Sequence, residues 1–288
     1  MDWYILAIIS MLIFGVQHFL FKVAAQRGHS SIRLNTVFML TVAVLSGIFY
    51  LSTNGSVNGG LFIIFVIGNA ATYMLANICK IESFRITKAT IAAPIAKLYM
   101  AITPILAFFI FRERISSLQI IGLCVATFAI VILGRNDGKV SVSKRNLKLG
   151  IIFAVAAAAS TSINNLIGKS AALSGDILSF MFFSYMFSFI IGLILQRAVT
   201  GDENPIQELI DRNETVRLGI IIGLVNFAAY YILLKALVIG PAMVVIPIIG
   251  LSTGVTIFMS WILMSEKPTP EKAFGILACI LAIFLLRA

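Results

Sequence analysis

Ten stretches of this chain read as near-continuous apolar blocks, separated by short runs rich in charge, glycine, proline and serine. They fall at 3–24, 34–52, 60–81, 90–111, 116–133, 149–171, 177–196, 217–238, 242–264 and 271–287. Each is roughly 20 residues long, which at 1.5 Å per residue crosses a hydrocarbon core of about 30 Å. Lipid offers no partner to an open backbone, so such blocks are either helices or closed-barrel strands. Barrel strands would be about half this length and would alternate apolar with polar positions. The pattern predicts an all-α membrane protein of ten transmembrane helices.

Composition agrees. Of 288 residues, 60 % are hydrophobic and 12 % charged, against about a quarter charged in a soluble domain. The first block begins at Trp3 with no basic segment before it and no small-residue cleavage site after it. It is therefore expected to be a retained helix and not a signal peptide. Cys79, Cys124 and Cys279 sit inside apolar blocks without CxxC spacing, as small core hydrophobes do. The net charge of +10 gathers at helix ends, where membrane topology explains it, so nucleic acid is set aside as a partner.

The two halves of the chain resemble each other. A shift of 147 carries Gln17, His18 and Lys22 onto Asn164, Asn165 and Lys169. A shift of 153 carries Ala89, Pro94, Glu113 and Gly122 onto Ala242, Pro247, Glu266 and Gly275. The difference fits the longer hydrophilic loop at 200–215, where a short surface helix is expected around Pro205 to Ile210. Residues 1–134 and 149–288 then form two five-helix units joined by a linker at 135–148.

Five is an odd number, so the second unit must enter the membrane upside down. Basic flanking residues test this, because they stay cytoplasmic. One face collects sixteen of them, including Lys22, Arg27, Lys80 and the central linker; the other collects five, including Arg112, Lys169 and Lys235. The bias predicts two inverted repeats, a cytoplasmic linker and extracytoplasmic termini.

Each half also carries one signature: an apolar helix ending in phenylalanine or leucine, a glutamate, and a glycine nine residues later. The copies read PILAFFIFRERISSLQIIG and TIFMSWILMSEKPTPEKAFG. Paired in this way they resemble the drug/metabolite transporter superfamily, specifically its EamA-type ten-helix transporters, over essentially the whole chain. The resemblance implies two inverted five-helix repeats around a central cavity, moving small metabolites such as amino acids by alternating access. Many members are described with cytoplasmic termini, and the charge bias here points the other way.

Which polar side chains would line the pathway? Inverted-repeat transporters bind substrate near the midplane, between the repeats. Asn69, Tyr73 and Asn77 recur every four residues and form one polar stripe on the third span. Asn226 and Tyr230 on the eighth span are the repeat partners of Tyr73 and Asn77. Such stripes either hydrogen-bond a small polar solute or glue helices together, the latter worth about 1 kcal/mol each. Gln17, His18, Asn164 and Asn165 lie at matched depths and suggest a cavity wall; His18 either shuttles a proton or bonds a neighbour. Lys97 is the sharpest clue. A mid-helix ammonium costs about 2.5–3.5 kcal/mol on insertion scales, so it faces protein or water. It lies between Pro94 and Pro104, which predicts a locally broken helix. Its readings are recognition of a substrate carboxylate or phosphate, or snorkelling or pairing with a carboxylate such as Glu82. Lys22 and Lys169, nearer helix ends, are read as snorkelling.

All twelve acids lie at or beyond span ends, unlike the small multidrug branch of the superfamily, which has a glutamate within its first helix. Glu113 and Glu266 precede the fifth and tenth spans, where a carboxylate can satisfy free N–H groups. No HExxH, GxSxG or Walker loop occurs, so no enzyme, metal or cofactor chemistry is expected. The sequence thus reads as a secondary transporter, in the exporting direction, of small polar metabolites such as amino acids or organic anions, in the cell (inner) membrane. A lipid or lipid-linked sugar flippase and a membrane-embedded lipid-modifying enzyme are the competing readings. The expected partners are a small-molecule substrate and membrane lipid, with monomer and homodimer both open.

Overall fold

The structure is a computed structural model and describes residues 2–27, 29, 31–53, 60–87, 92, 95–133, 144–200, 213–265 and 269–287. Pro94, Glu266, most of the linker and the surface helix expected near Pro205 lie outside those residues. Within them run α1 (Trp3–Gln26), α2 (Ser31–Ser52), α3 (Gly60–Ile86), α4 (Tyr99–Phe111), α5 (Ser117–Leu133) and α6 (Lys144–Ser174). Then follow α7 (Ile177–Thr200), α8 (Asn213–Ile239), α9 (Ala242–Gly250), α10 (Ser252–Met264) and α11 (Pro270–Arg287). Among the described residues there is no strand.

Among the described residues seven rods are long and apolar enough to cross a membrane: α1, α2, α3, α6, α7, α8 and α9 with α10 as one. The other three predicted spans are shorter helices, α4, α5 and α11. Leu51, Leu61, Phe109, Leu263, Leu277 and Phe284 are among many large apolar side chains turned outward, a surface suited to lipid. The chain is a multi-pass membrane protein.

Several helices outrun their apolar blocks. α3 continues to Ile86, α6 begins at Lys144 inside the predicted linker, and α8 begins at Asn213. Backbone hydrogen bonding does not stop where hydrophobicity does, and polar residues extend a helix readily beyond the hydrocarbon. Side chains satisfy the orphan N–H groups at the starts. Asp2 accepts from Tyr4 N (3.3 Å) and Asp176 from Ser179 N (2.8 Å). Ser116 and Gln119 cap α5 reciprocally, at 3.0 and 3.2 Å.

Within the predicted span 90–111 the helix is broken where the bracketing prolines suggested, by a turn at Lys97–Leu98 between helical Ile95 and Ala96 and the start of α4. There the bonds tighten to i→i−3, with Met100 N donating to Lys97 O and Ala101 N to Leu98 O. The rod from Ala242 to Met264 breaks in the same way at Leu251, whose N–H reaches Ile248 O while Gly254 N reaches Leu251 O. Tightened turns of this kind mark hinges. Leu98 (φ −60°, ψ −12°) and Leu251 (φ −68°, ψ −7°) have nearly the same backbone angles and stand 153 residues apart. A second coincidence follows at the ends of these rods. Arg112 (φ 52°) and Ser265 (φ 56°) are the described non-glycine residues with positive φ, again 153 apart. Each closes its helix in the left-handed region, which costs an L-residue about 1–2 kcal/mol.

Packing runs almost wholly between the two halves of the chain. α3 lies on α6, α1 on α8, α2 on α7 and on α8, α5 on α11, and α4 on α9 and α6, whereas helices of residues 3–133 scarcely touch one another. Small residues allow the closest approaches. A Cβ on Gly219 would meet Val37 at 2.6 Å, and one on Gly223 would meet Thr41 at 2.5 Å, locking α8 to α2. Gly122 abuts Leu285 and Gly275 abuts Leu133, which binds α5 to α11 at the edge. Between the remaining helices a large apolar core encloses buried polar side chains, among them Gln17, Asn69 and Asn226.

Candidate functional site

Polar side chains of these helices fall into two groups. The first centres on Asn226 of α8, which is buried. Its amide donates to Gln17 of α1 (3.1 Å) and its oxygen accepts from the Tyr185 hydroxyl of α7 (2.7 Å). Tyr185 stands edge-on to Tyr230 at 5.8 Å between centroids. Tyr73 of α3 lies within electrostatic reach of both phenols. A Cβ on Gly168 would sit 3.2 Å from the Tyr230 hydroxyl, so glycine there lets the phenol cross to α6. Tyr73 and Tyr230 keep some exposed surface while Gln17, Tyr185 and Asn226 are buried. The phenols thus form the accessible edge of a network whose amides hold it from behind.

Asn69 and Asn164 serve differently. The Asn164 amide donates to both Asn69 oxygens at 2.9 Å and to Thr72 at 3.2 Å. This triple contact joins α3 to α6 where they pack most extensively, and Asn69 is buried. Asn77 donates to the Tyr73 carbonyl of its own helix (3.1 Å). Asn165 is half-buried, about 100° around α6 from Asn164.

The second group is cationic. Lys97 stands on the turn that opens α4, its ammonium 5.9 Å from the centre of the Tyr99 ring. Lys80 of α3 lies within electrostatic reach of Lys97, and both reach His18 of α1. By accessible surface Lys97 is half-buried and Lys80 is exposed. The His18 ring stacks on Phe14 and shares a 3.3 Å contact between Nδ1 and the Ser252 hydroxyl at the start of α10. Among the described residues no carboxylate comes within ion-pair distance of Lys80 or Lys97.

Lys80 was expected at a loop. It lies instead within α3, which continues past it to Ile86, with its side chain exposed. The sequence held the signal: 69, 73, 77 and 80 follow helical spacing on one face. Tyr185 gave less warning. It sits in the phenylalanine-rich run FMFFSYMFSF, and its repeat partner is Phe38, against which it packs edge-on at 6.3 Å.

Lys169 departs from expectation too. It does not snorkel. Its ammonium pairs with Glu113, donates to Gly240 O (2.9 Å) and lies 5.1 Å from the Phe111 ring centre, and both charged side chains are about nine-tenths buried. Glu113 also accepts from Ala242 N and Met243 N at 2.9 Å. It therefore caps α9, across the molecule, and not the neighbouring α5, which Ser116 already serves. The left-handed turn at Arg112 immediately precedes this carboxylate. A paired, doubly capping glutamate with a satisfied lysine is a structural pin.

Comparison with known proteins closes the description. The family model described as "EamA-like transporter family" matches residues 1–135 and 148–288. Twenty-nine solved chains match. One, titled "Crystal structure of protein", is 13 % identical with a TM-score of 0.74, covering 99 % of this chain and 98 % of its own. At that identity the likeness establishes the fold. No curated protein matches.

Proposed function

This chain belongs to the EamA-like transporter family, a family of membrane transporters of small solutes, and on that premise we propose that it exports small polar metabolites, anionic or zwitterionic, across the cell membrane. The observation that carries the reading is Lys97. It is an ammonium on the broken turn that opens the short apolar helix α4, half-buried and without a carboxylate partner among the described residues. An insertion cost of about 2.5–3.5 kcal/mol is retained where water or a ligand meets the charge. Lys97 holds the anionic end of the solute. Tyr73 and Tyr230 offer hydroxyls to the rest, backed by Asn226, Gln17 and Tyr185.

Movement follows from the two hinges. We take the chain as two inverted five-helix repeats around a central cavity. Matched breaks at Leu98 and Leu251, matched left-handed turns at Arg112 and Ser265, and exchanged contacts support this. In the last of these, α1 on α8 answers α6 on α3. Rocking of one repeat against the other about Leu98 and Leu251 exposes the site alternately to the two sides. The buried carboxylate of Glu113 is committed to Lys169 and to the N–H groups of Ala242 and Met243, so the reading uses exchange or facilitated flux.

The test is transport in proteoliposomes. Lys97→Ala should lower flux of an anionic metabolite by about tenfold or more, with unchanged yield and thermal unfolding. Wild-type rates for every anionic solute would end the assignment of Lys97.

A further inference from the structure

The two shifts that relate the halves of the chain give a contact in one place a counterpart in another. At the edge of the molecule the counterparts agree. Gly122 of α5 lies against Leu285 and Leu286 of α11, and Gly275 of α11 lies against Ile132 and Leu133 of α5. A shift of 153 turns one set into the other. They agree again where α3 ends beside α6 and α8 ends beside α1. A Cβ on Gly150 would meet Thr87 Cβ at 2.5 Å, and one on Gly240 would meet Trp3 Cβ at 2.8 Å. Gly240 stands 153 residues from Thr87, and Gly150 stands 147 from Trp3.

The rods that carry the breaks depart from this correspondence. α10 is fastened to α1. Thr256 Oγ1 lies 3.1 Å from Gly15 O and 3.1 Å from Ser252 O on its own helix. The Ser252 hydroxyl meets His18 Nδ1 at 3.3 Å, and a Cβ on Gly15 would meet Val255 Cβ at 2.5 Å. The counterpart is α4 on α6, where Thr103 stands for Thr256, Tyr99 for Ser252 and Ser162 for Gly15. There the Ser162 hydroxyl lies 2.9 Å from Ala158 O on its own helix and only 3.4 Å from Tyr99 O. Thr103 is fully buried, and among the described residues its hydroxyl has no hydrogen-bond partner.

Burying a hydroxyl without a partner is unfavourable. One bonded interface and one matched interface short of its bond are what a rocking pair of inverted units leaves in either of its end states. The contacts that agree lie on helices without a break; those that differ lie on the rods that bend at Leu98 and Leu251. The two breaks also bear on each other, since the thioether of buried Met100 fills the place of a side chain on Gly250.

We propose that the transport cycle exchanges these two interfaces. This structure is the end state in which Thr256 fastens α10 to α1. In the opposite state α10 leaves α1 while α4 closes on α6, and Thr103 donates to Ser162 O. Thr103 and Thr256 are positioning residues that set the balance between the states without touching the solute. This rests on the transporter reading above and on the inverted repeats taken there, and adds which contacts part and which form.

The test reads distances between pairs of spin labels in the full-length protein in lipid, with the exposed native Cys124 replaced by serine. One pair replaces Leu12 and Phe258, on α1 and α10, and the other replaces Ile105 and Ile163, on α4 and α6; all four side chains are exposed. Thr256→Val should raise the share of molecules with α1 and α10 apart about fivefold, the size of one net hydrogen bond, and with it the share with α4 and α6 close. Thr103→Val should move both shares the other way by a similar factor, alone and in the Thr256→Val background, since it relieves the orphan here and removes the bond there. Thr256→Ser and Thr103→Ser keep the hydroxyl and should match the wild type. Shifts of the same sign in the two valine variants, or none in either, would overturn the exchange. So would a response to Thr256→Val alone, which would make that threonine a strut of one state. None of these distances needs a solute, so failure of the transporter reading shows separately, as absence of protein-dependent flux for a broad metabolite panel.

Discussion

Lys169 and Lys97 both place an ammonium inside a bundle of membrane helices, and they meet opposite surroundings. Lys169 pairs with Glu113, donates to Gly240 O and lies against Phe111, with almost no exposed surface. Lys97 keeps accessible surface, has an aromatic neighbour and no carboxylate among the described residues, and sits where its rod is broken. Equal insertion cost is met in one case by internal partners and in the other is left open. A satisfied cation fixes the arrangement of helices; an unsatisfied one is available to something that comes and goes. The carboxylate decides which.

The largest effect should come from breaking the closed pair. Lys169→Met leaves Glu113 buried without its cation and should lower stability by about 3–5 kcal/mol, read as earlier thermal unfolding in detergent. Adding Glu113→Gln should recover at least about half of that loss, because removing both charges costs less than orphaning one. If the double variant is no more stable than the single one, the pin is held by packing and not by charge. At Lys97 the pattern reverses. Lys97→Met should leave thermal unfolding unchanged or later, while anion flux falls about tenfold. A loss of stability as large as that of Lys169→Met would make the two lysines alike and dissolve the contrast. The smallest effect belongs to the turn that aims Glu113. Arg112→Val, a β-branched residue at φ 52°, should cost about 1–2 kcal/mol, whereas Arg112→Gly should not. Equal unfolding temperatures for the two variants would free that turn from strain.

Much of the architecture is legible in the sequence because the bilayer enforces it. A block of apolar residues that must satisfy its backbone has one solution, and α1, α2, α6, α7 and α8 follow from that alone. The break before α4 is legible as well, since prolines bracket Lys97 in the sequence. Partnerships are harder. Asn164 and Asn69 are 95 residues apart, and Glu113 and Met243 are 130 apart. Helical spacing says which face a residue shares with its own neighbours and nothing of what lies opposite. The polar stripe on α3 therefore reads from the sequence as one surface, while the structure divides it. Asn69 is spent on Asn164, while Tyr73 and Lys80 keep accessible surface. Lys80 shows a different limit. Counting it as a loop charge assumed that α3 ended with its apolar block, and helices do not end there.

The cross-half packing has a consequence for how the molecule is made. A ribosome delivers α1 to α5 first, and in the finished protein those five rods touch one another scarcely at all. Their native neighbours, including the backbone that Glu113 caps, are still to be translated. The early segment therefore has no finished shape of its own to settle into, and waits in the lipid as loose staves until the later ones arrive between them.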